Sequence, residues 1–224
     1  MKGVSGKKTG LKTAADWGDR LDVRFYLAER LKRLQGKKIL EIGCGWGFVL
    51  REVPDSNEKY GVDLDARRLA TAKELVPGAV LKHASMYSLP FKNGFFDAVI
   101  MANVIPHVDF HAEGNREKNQ RKAFSESARV LKKGGVLYLT APNGAWFEKI
   151  GVYGKLERWR LEKLLQPYFD FEIGGWNPFP SYPRFIPSRV LKKVPLWFEL
   201  LKTLCGKGLF SRTSKFFYTE AVRK

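Results

Sequence analysis

Three glycines at alternate positions, Gly43, Gly45 and Gly47, follow directly on the apolar run Ile39-Leu40-Glu41-Ile42. Glycines placed at the end of a strand let the chain turn tightly and let a ligand approach bare backbone. A dinucleotide fingerprint requires its third glycine at 48, where this chain has Phe48, so the spacing is GxGxG and not GxGxxG. Glu41 adds a charge argument: a carboxylate at the strand's end repels a pyrophosphate but attracts a ligand carrying ammonium and sulfonium groups. S-adenosylmethionine is such a ligand and NAD is not. Twenty residues beyond Gly43 stands Asp63, where a carboxylate can accept hydrogen bonds from both hydroxyls of a ribose. Asp65 is a nearby alternative, but its position suits the N-cap of the next helix.

Alternating strands and helices must position these residues. Near-helical spacing of Leu21, Phe25, Leu27, Leu31 and Leu34 predicts an N-terminal helix over 22–34. Strands are expected at 38–42, 60–64, 80–83, 96–101 and 136–140, and helices at 48–53, 66–76 and 117–131. The second of these helices stops at Pro77-Gly78 and the third at Lys132-Lys133-Gly134-Gly135. Such alternation implies a parallel sheet covered by helices on both faces. A helix at 156–165, a sixth strand at 169–173 and a last strand at 215–222 follow. Between the last two strands, residues 174–214 are irregular, rich in proline, aromatic and basic residues. The expected division is a flexible basic tail over 1–20 and a single domain over 21–224, with a cofactor-binding core at 38–143.

Four segments in this order, ILEIGCGWG, GVDLD, SLPFKNGFFDAVIMANVIPHV and ARVLKKGGVLYLTAPN, resemble the motifs of the class I S-adenosylmethionine-dependent methyltransferases. The likeness is strongest to the methyltransferase type 11 group, which is similar to quinone-biosynthesis C-methyltransferases. The resemblance implies a Rossmann-like, doubly wound α/β fold. Its seven-stranded sheet would be mostly parallel with the last strand antiparallel, and residues 174–214 would be inserted before that strand. It also implies S-adenosylmethionine as cofactor, S-adenosylhomocysteine as product and no metal. Carried over residue by residue, Gly43, Gly45 and Gly47 would flank the methionine part and Asp63 the ribose, with Glu41, Cys44 and Leu64 as further cofactor-binding residues. Where the family often has an aspartate before the residue that covers the adenine, this chain has Ser85, followed by Met86. A serine hydroxyl bonds an exocyclic amine more weakly, and Met86 can pack on the ring. Asn103 falls where the family contacts the methionine moiety and the substrate mouth.

Methyl transfer from a sulfonium is an in-line displacement, so the enzyme contributes alignment and a dry site, and a base only where the acceptor must lose a proton. His107, after the fourth strand, is the candidate base, with packing of its loop as the competing role; His111 and His83 are less well placed. Asn103-Val104-Ile105-Pro106 lacks the Asn/Asp-Pro-Pro-aromatic tetrad that methylases of exocyclic base amines share, which argues against that target. The acceptor site is expected to involve Trp17, the loop 103–116 and the 174–214 insertion. The insertion admits four readings: a lid over a hydrophobic acceptor, a contact with an anionic membrane, a clamp on single-stranded RNA, or a structural cap.

The bulk composition is consistent with this picture. The chain has 224 residues with 44% hydrophobic and 28% charged, which suits one soluble domain. Net charge is +17, and the excess sits at the ends: 11 Lys/Arg against 4 Asp/Glu in residues 1–38, 14 against 12 in 39–144, and 15 against 7 in 145–224. Basic flanks point to an anionic partner, RNA or a membrane surface, or to nothing more than a solvated face. No run approaches the roughly 18–20 apolar residues that cross a bilayer. Cys44 and Cys205 form no metal-ligand spacing. A cytoplasmic enzyme is expected, with a membrane-peripheral location as the variant. The leading expectation is a methyltransferase acting on a small-molecule or lipid-like acceptor at carbon or oxygen. An RNA methyltransferase and a non-catalytic cofactor-binding module are the alternatives.

Overall fold

The computed structural model describes residues 27, 29–105, 116–143, 156–176 and 216–224. Five strands run in parallel: β1 (Lys38–Ile42), β2 (Glu58–Asp63), β3 (Val80–His83), β4 (Phe96–Ala102) and β5 (Leu131–Pro142). Two short strands, β6 (Phe169–Asp170) and β7 (Ile173–Trp176), and the long β8 (Phe216–Arg223) complete one sheet. Its order is β3-β2-β1-β4-β5-β8-β6, with β7 also on β8. β8 runs antiparallel to β5, β6 and β7, so the antiparallel last strand is confirmed. The expected sixth strand is broken in two around Phe171-Glu172 and gives eight strands instead of seven among the described residues. Both pieces pair with β8, so the sheet keeps seven positions.

The helices are α1 (Phe48–Arg51), α2 (Ala66–Leu75), α3 (Arg116–Val130) and α4 (Arg158–Leu165). Strand alternation divides the core in two. Leu40, Ile42, Val99, Met101, Leu137 and Leu139 pack with α3 and α4. Ile39, Ala98, Ile100 and Tyr138 pack on the other face with Val49 and Leu50 of α1 and with Leu27 and Leu31. Residues 27 and 29–31 are helical, and the turn ends at Leu31 and not at 34. The rest of the expected N-terminal helix lies outside the described residues.

One boundary departs from expectation for a physical reason. Phe96 pairs with Leu131, but Ala98 pairs with Val136, so residues 132–135 leave the ladder as a bulge. Gly134, at φ 73°, makes that turn inside β5. The Lys-Lys-Gly-Gly stretch therefore belongs to the strand, and α3 ends at Val130.

Behind the sheet, Arg129 ties α3 to the loop after β3. Its guanidinium donates to the Phe91 carbonyl at 2.8 Å, the Leu89 carbonyl at 2.9 Å and the Glu126 carboxylate at 2.8 Å. Glu126 in turn accepts the Leu89 N–H at 2.8 Å. This cross-link holds the loop that carries Ser85 and Met86 against the core, and it keeps the Glu126 carboxyl below the ordinary range through the Arg129 hydrogen bond.

Candidate active site

The carboxyl ends of β1 and β2 shape the site. Gly43, Gly45 and Gly47 all have left-handed φ, at 70°, 50° and 80°, which explains why only glycine suits these alternate positions. Gly43 has a second reason: a Cβ there would lie 2.6 Å from Val104 Cγ2. The loop extends the ladder by two bonds, from the Gly43 and Cys44 N–H groups to the Val62 carbonyl at 2.8 and 3.0 Å.

Asp63 then crosses over to hold the loop. Its Oδ2 accepts the Gly45 N–H at 2.8 Å and its Oδ1 accepts the Asp65 N–H at 2.9 Å. Two backbone donors orient the carboxylate and leave lone pairs on both oxygens. Asp65 is the N-cap of α2, accepting the N–H groups of Arg67 and Arg68 at 2.9 and 3.3 Å, as its spacing implied.

Glu41 lies beneath the loop, 2% exposed. Its Oε2 is buried with no hydrogen-bond partner. Burial raises its pKa well above the ordinary carboxylate range, and the nearby Asp63 charge pushes the same way. A buried carboxyl with one orphaned oxygen is costly unless a cation or donor arrives to meet it. Cys44 is buried too, and burial pushes its thiol up. Its Sγ fills the space a side chain at Gly61 would need, at 2.8 Å from a Cβ placed there. Cys44 is thus a packing residue, inert as a nucleophile.

A cleft of about 570 Å³ opens beside these groups. Of the residues expected to bind the cofactor, Gly43, Asp63, Leu64 and Met86 line it, together with His83 and Val104. The other expected residues stand off its wall. Ser85 Oγ accepts the Tyr87 N–H of its own turn at 3.2 Å. Asn103, the sole non-glycine residue with positive φ (56°) among the described residues, donates its N–H to the Thr140 carbonyl at 2.9 Å, and its Oδ1 accepts from Thr140 Oγ1 at 3.3 Å. His107, Trp17 and residues 177–215 lie outside the described residues.

Two features were missed in the sequence. His83 pairs in register with Asp63 across β2 and β3, and its Nε2 lies 2.8 Å from the Leu64 carbonyl. Trp46, 44% exposed at the glycine loop, carries the Arg68 guanidinium 4.8 Å from its ring centroid. Only the pairing of separate strands and loops brings these groups together, so spacing alone carried no signal.

Asp63 on the cleft wall, with the buried Glu41 near it, suits a cationic ligand better than a pyrophosphate. Comparison with known proteins agrees. Residues 40–139 match the family described as Methyltransferase domain. A Mycolicibacterium smegmatis protein, named as a probable S-adenosylmethionine-dependent methyltransferase, is 29% identical over 148 residues, covering 64% of this chain and 53% of that protein. A 2-phytyl-1,4-naphtoquinone methyltransferase of Trichormus variabilis is 26% identical over 191 residues, covering 80% and 74%. This chain thus spans about half of the first relative and three quarters of the second. The crystal structure of geranyl diphosphate C-methyltransferase from Streptomyces coelicolor, in complex with Mg2+, geranyl diphosphate and S-adenosylhomocysteine, shares the fold. Its TM-score is 0.60 at 16% identity, with coverage of 90% and 78%. Motifs, sheet order and relatives all resemble the class I S-adenosylmethionine-dependent methyltransferases, and the Methyltransferase domain match covers a little under half of this chain.

Proposed function

We propose that this enzyme moves the methyl group of S-adenosylmethionine to a small-molecule or lipid-like acceptor at carbon or oxygen. The observation that carries the cofactor half is the hydrogen bond from Gly45 to Asp63, which joins the glycine loop to the acidic strand end beside one cleft. The naphthoquinone methyltransferase among the relatives supports the acceptor half.

Bound there, the cofactor supplies a methyl group activated on a sulfonium. Everything else falls to the chain. Asp63 holds the ribose hydroxyls with the lone pairs its two backbone donors leave open. Gly43, Gly45 and Gly47 let the methionine part lie against bare backbone, over Cys44. Glu41 offers its orphaned oxygen to the ammonium. Leu64 and Met86 cover the adenine, and Asn103 marks the mouth where the acceptor enters. A cation near Glu41 stabilises its charged form, so binding draws its raised pKa down and releases a proton. His107 is the proposed base, for acceptors that must lose a proton.

The test incubates the protein with methyl-labelled S-adenosylmethionine and an extract separated into lipid, small-metabolite, RNA and protein fractions. Label in lipid or metabolite supports this reading. Label confined to RNA replaces it with RNA methylation, and cofactor binding without labelling of any fraction makes the chain a non-catalytic cofactor-binding module.

A further inference from the structure

We propose that His83, and not Ser85, reads the exocyclic amine of the adenine; the inference rests on the cofactor reading above. β2 and β3 pair Asp63 with His83. Paired residues of neighbouring strands project from the same face of a sheet, and both side chains line the cleft with Leu64 and Met86. The ring's hydrogen bond decides what it offers. His83 Nε2 lies 2.8 Å from the Leu64 carbonyl oxygen, which can only accept, so Nε2 carries the proton. In the neutral ring Nδ1 is then an acceptor.

Elimination strengthens the assignment. Arg67 and Arg68, also on the cleft wall, are donors only. Asp65 caps α2 through Oδ1 and pairs through Oδ2 with the Arg68 guanidinium at 3.4 Å, and Asp63 is oriented by the glycine loop towards the ribose end. Ser85 stands off the wall with its hydroxyl bonded to its own turn. Among the described residues, His83 Nδ1 makes no hydrogen bond, and it is the neutral acceptor that stands in register with Asp63 on this wall. An acceptor there selects an amine over a carbonyl on the purine. The bond to Leu64 also ties the reading residue to the backbone of a residue that covers the ring.

The experiment measures calorimetric affinities of the full chain for S-adenosylhomocysteine and for S-inosylhomocysteine, in which a carbonyl replaces the amine. The wild-type protein should prefer the adenosyl compound about tenfold, the worth of one net hydrogen bond. His83→Ala should bring the ratio close to one, His83→Gln, which keeps an acceptor, should retain part of it, and Ser85→Ala should leave it intact. Thermal melting of each variant confirms that it folds. A preference that survives His83→Ala, or is lost in Ser85→Ala, overturns the inference while leaving the cofactor reading standing. Equal wild-type affinity for the two compounds does the same. Binding of neither compound overturns both.

Discussion

Asp63 ends one parallel strand and Ser85 follows the end of the next, yet the fold treats them oppositely. Asp63 receives one N–H from the glycine loop and one from Asp65, so contacts from two segments fix its carboxylate at the cleft. Ser85 bonds only within its own turn and stands off the wall. A residue becomes a site residue when distant backbone orients it; a short polar side chain left to itself satisfies its nearest N–H.

The glycine-loop side should be the harder to perturb without loss. Gly43→Ala has the largest expected effect. It places a Cβ 2.6 Å from Val104 at φ 70°, and left-handed strain plus overpacking should cost about 2–4 kcal/mol. Cofactor affinity measured by calorimetry should fall at least tenfold, and the melting temperature should drop.

Asp63→Ala comes next. It removes the ribose partner and frees the Gly45 loop, weakening cofactor binding by about 1–3 kcal/mol. Asp63→Asn should fall between, because an amide oxygen can still accept one loop N–H. Unchanged affinity in Asp63→Ala would make the carboxylate a loop clamp alone.

Glu41 gives a subtler contrast through protons. Its pKa in the fold is raised by burial, above the value of about 4.3 in an unfolded chain. Below that value both states are protonated and the group costs nothing. As pH rises through it, the unfolded chain ionises first and stability falls until the raised pKa is reached. Glu41→Gln should flatten this part of the stability-versus-pH curve in denaturant titrations. Binding heats measured in two buffers of different ionisation enthalpy should show proton release on cofactor binding by the wild type and none by Glu41→Gln.

The smallest effect belongs to the local side. Ser85→Ala should change cofactor affinity by less than about 0.5 kcal/mol, the usual range for a substitution away from buried networks. A tenfold loss would reverse the comparison and return Ser85 to the site.

Much of this was legible in the chain. The alternation of apolar runs with helical spacing foretold the parallel strands, most clearly the central β1 and β4, which are buried on both faces and so read as nearly continuous apolar runs, while the edge strand β3 is largely exposed. Gly43, Gly45 and Gly47 announced a positive-φ loop through their type and spacing, and Asp65 announced a cap. Boundaries were less visible. Lys132 to Gly135 has the composition of a helix end, but pairing with β4 makes it a bulge. The pairing of both halves of the sixth strand with β8 likewise depends on residues forty or more positions apart.

The amino-acid sequence alone determined the fold class, the glycine loop and the acidic strand end, because those depend on local conformation and on apolar periodicity. Tertiary structure decided which polar groups face the cleft. Strand register set His83 beside Asp63, burial in the core left one Glu41 oxygen orphaned, and a local turn bonded the Ser85 hydroxyl. These outcomes follow from competition among hydrogen-bond partners, and which partners are within reach is settled only when the strands pair.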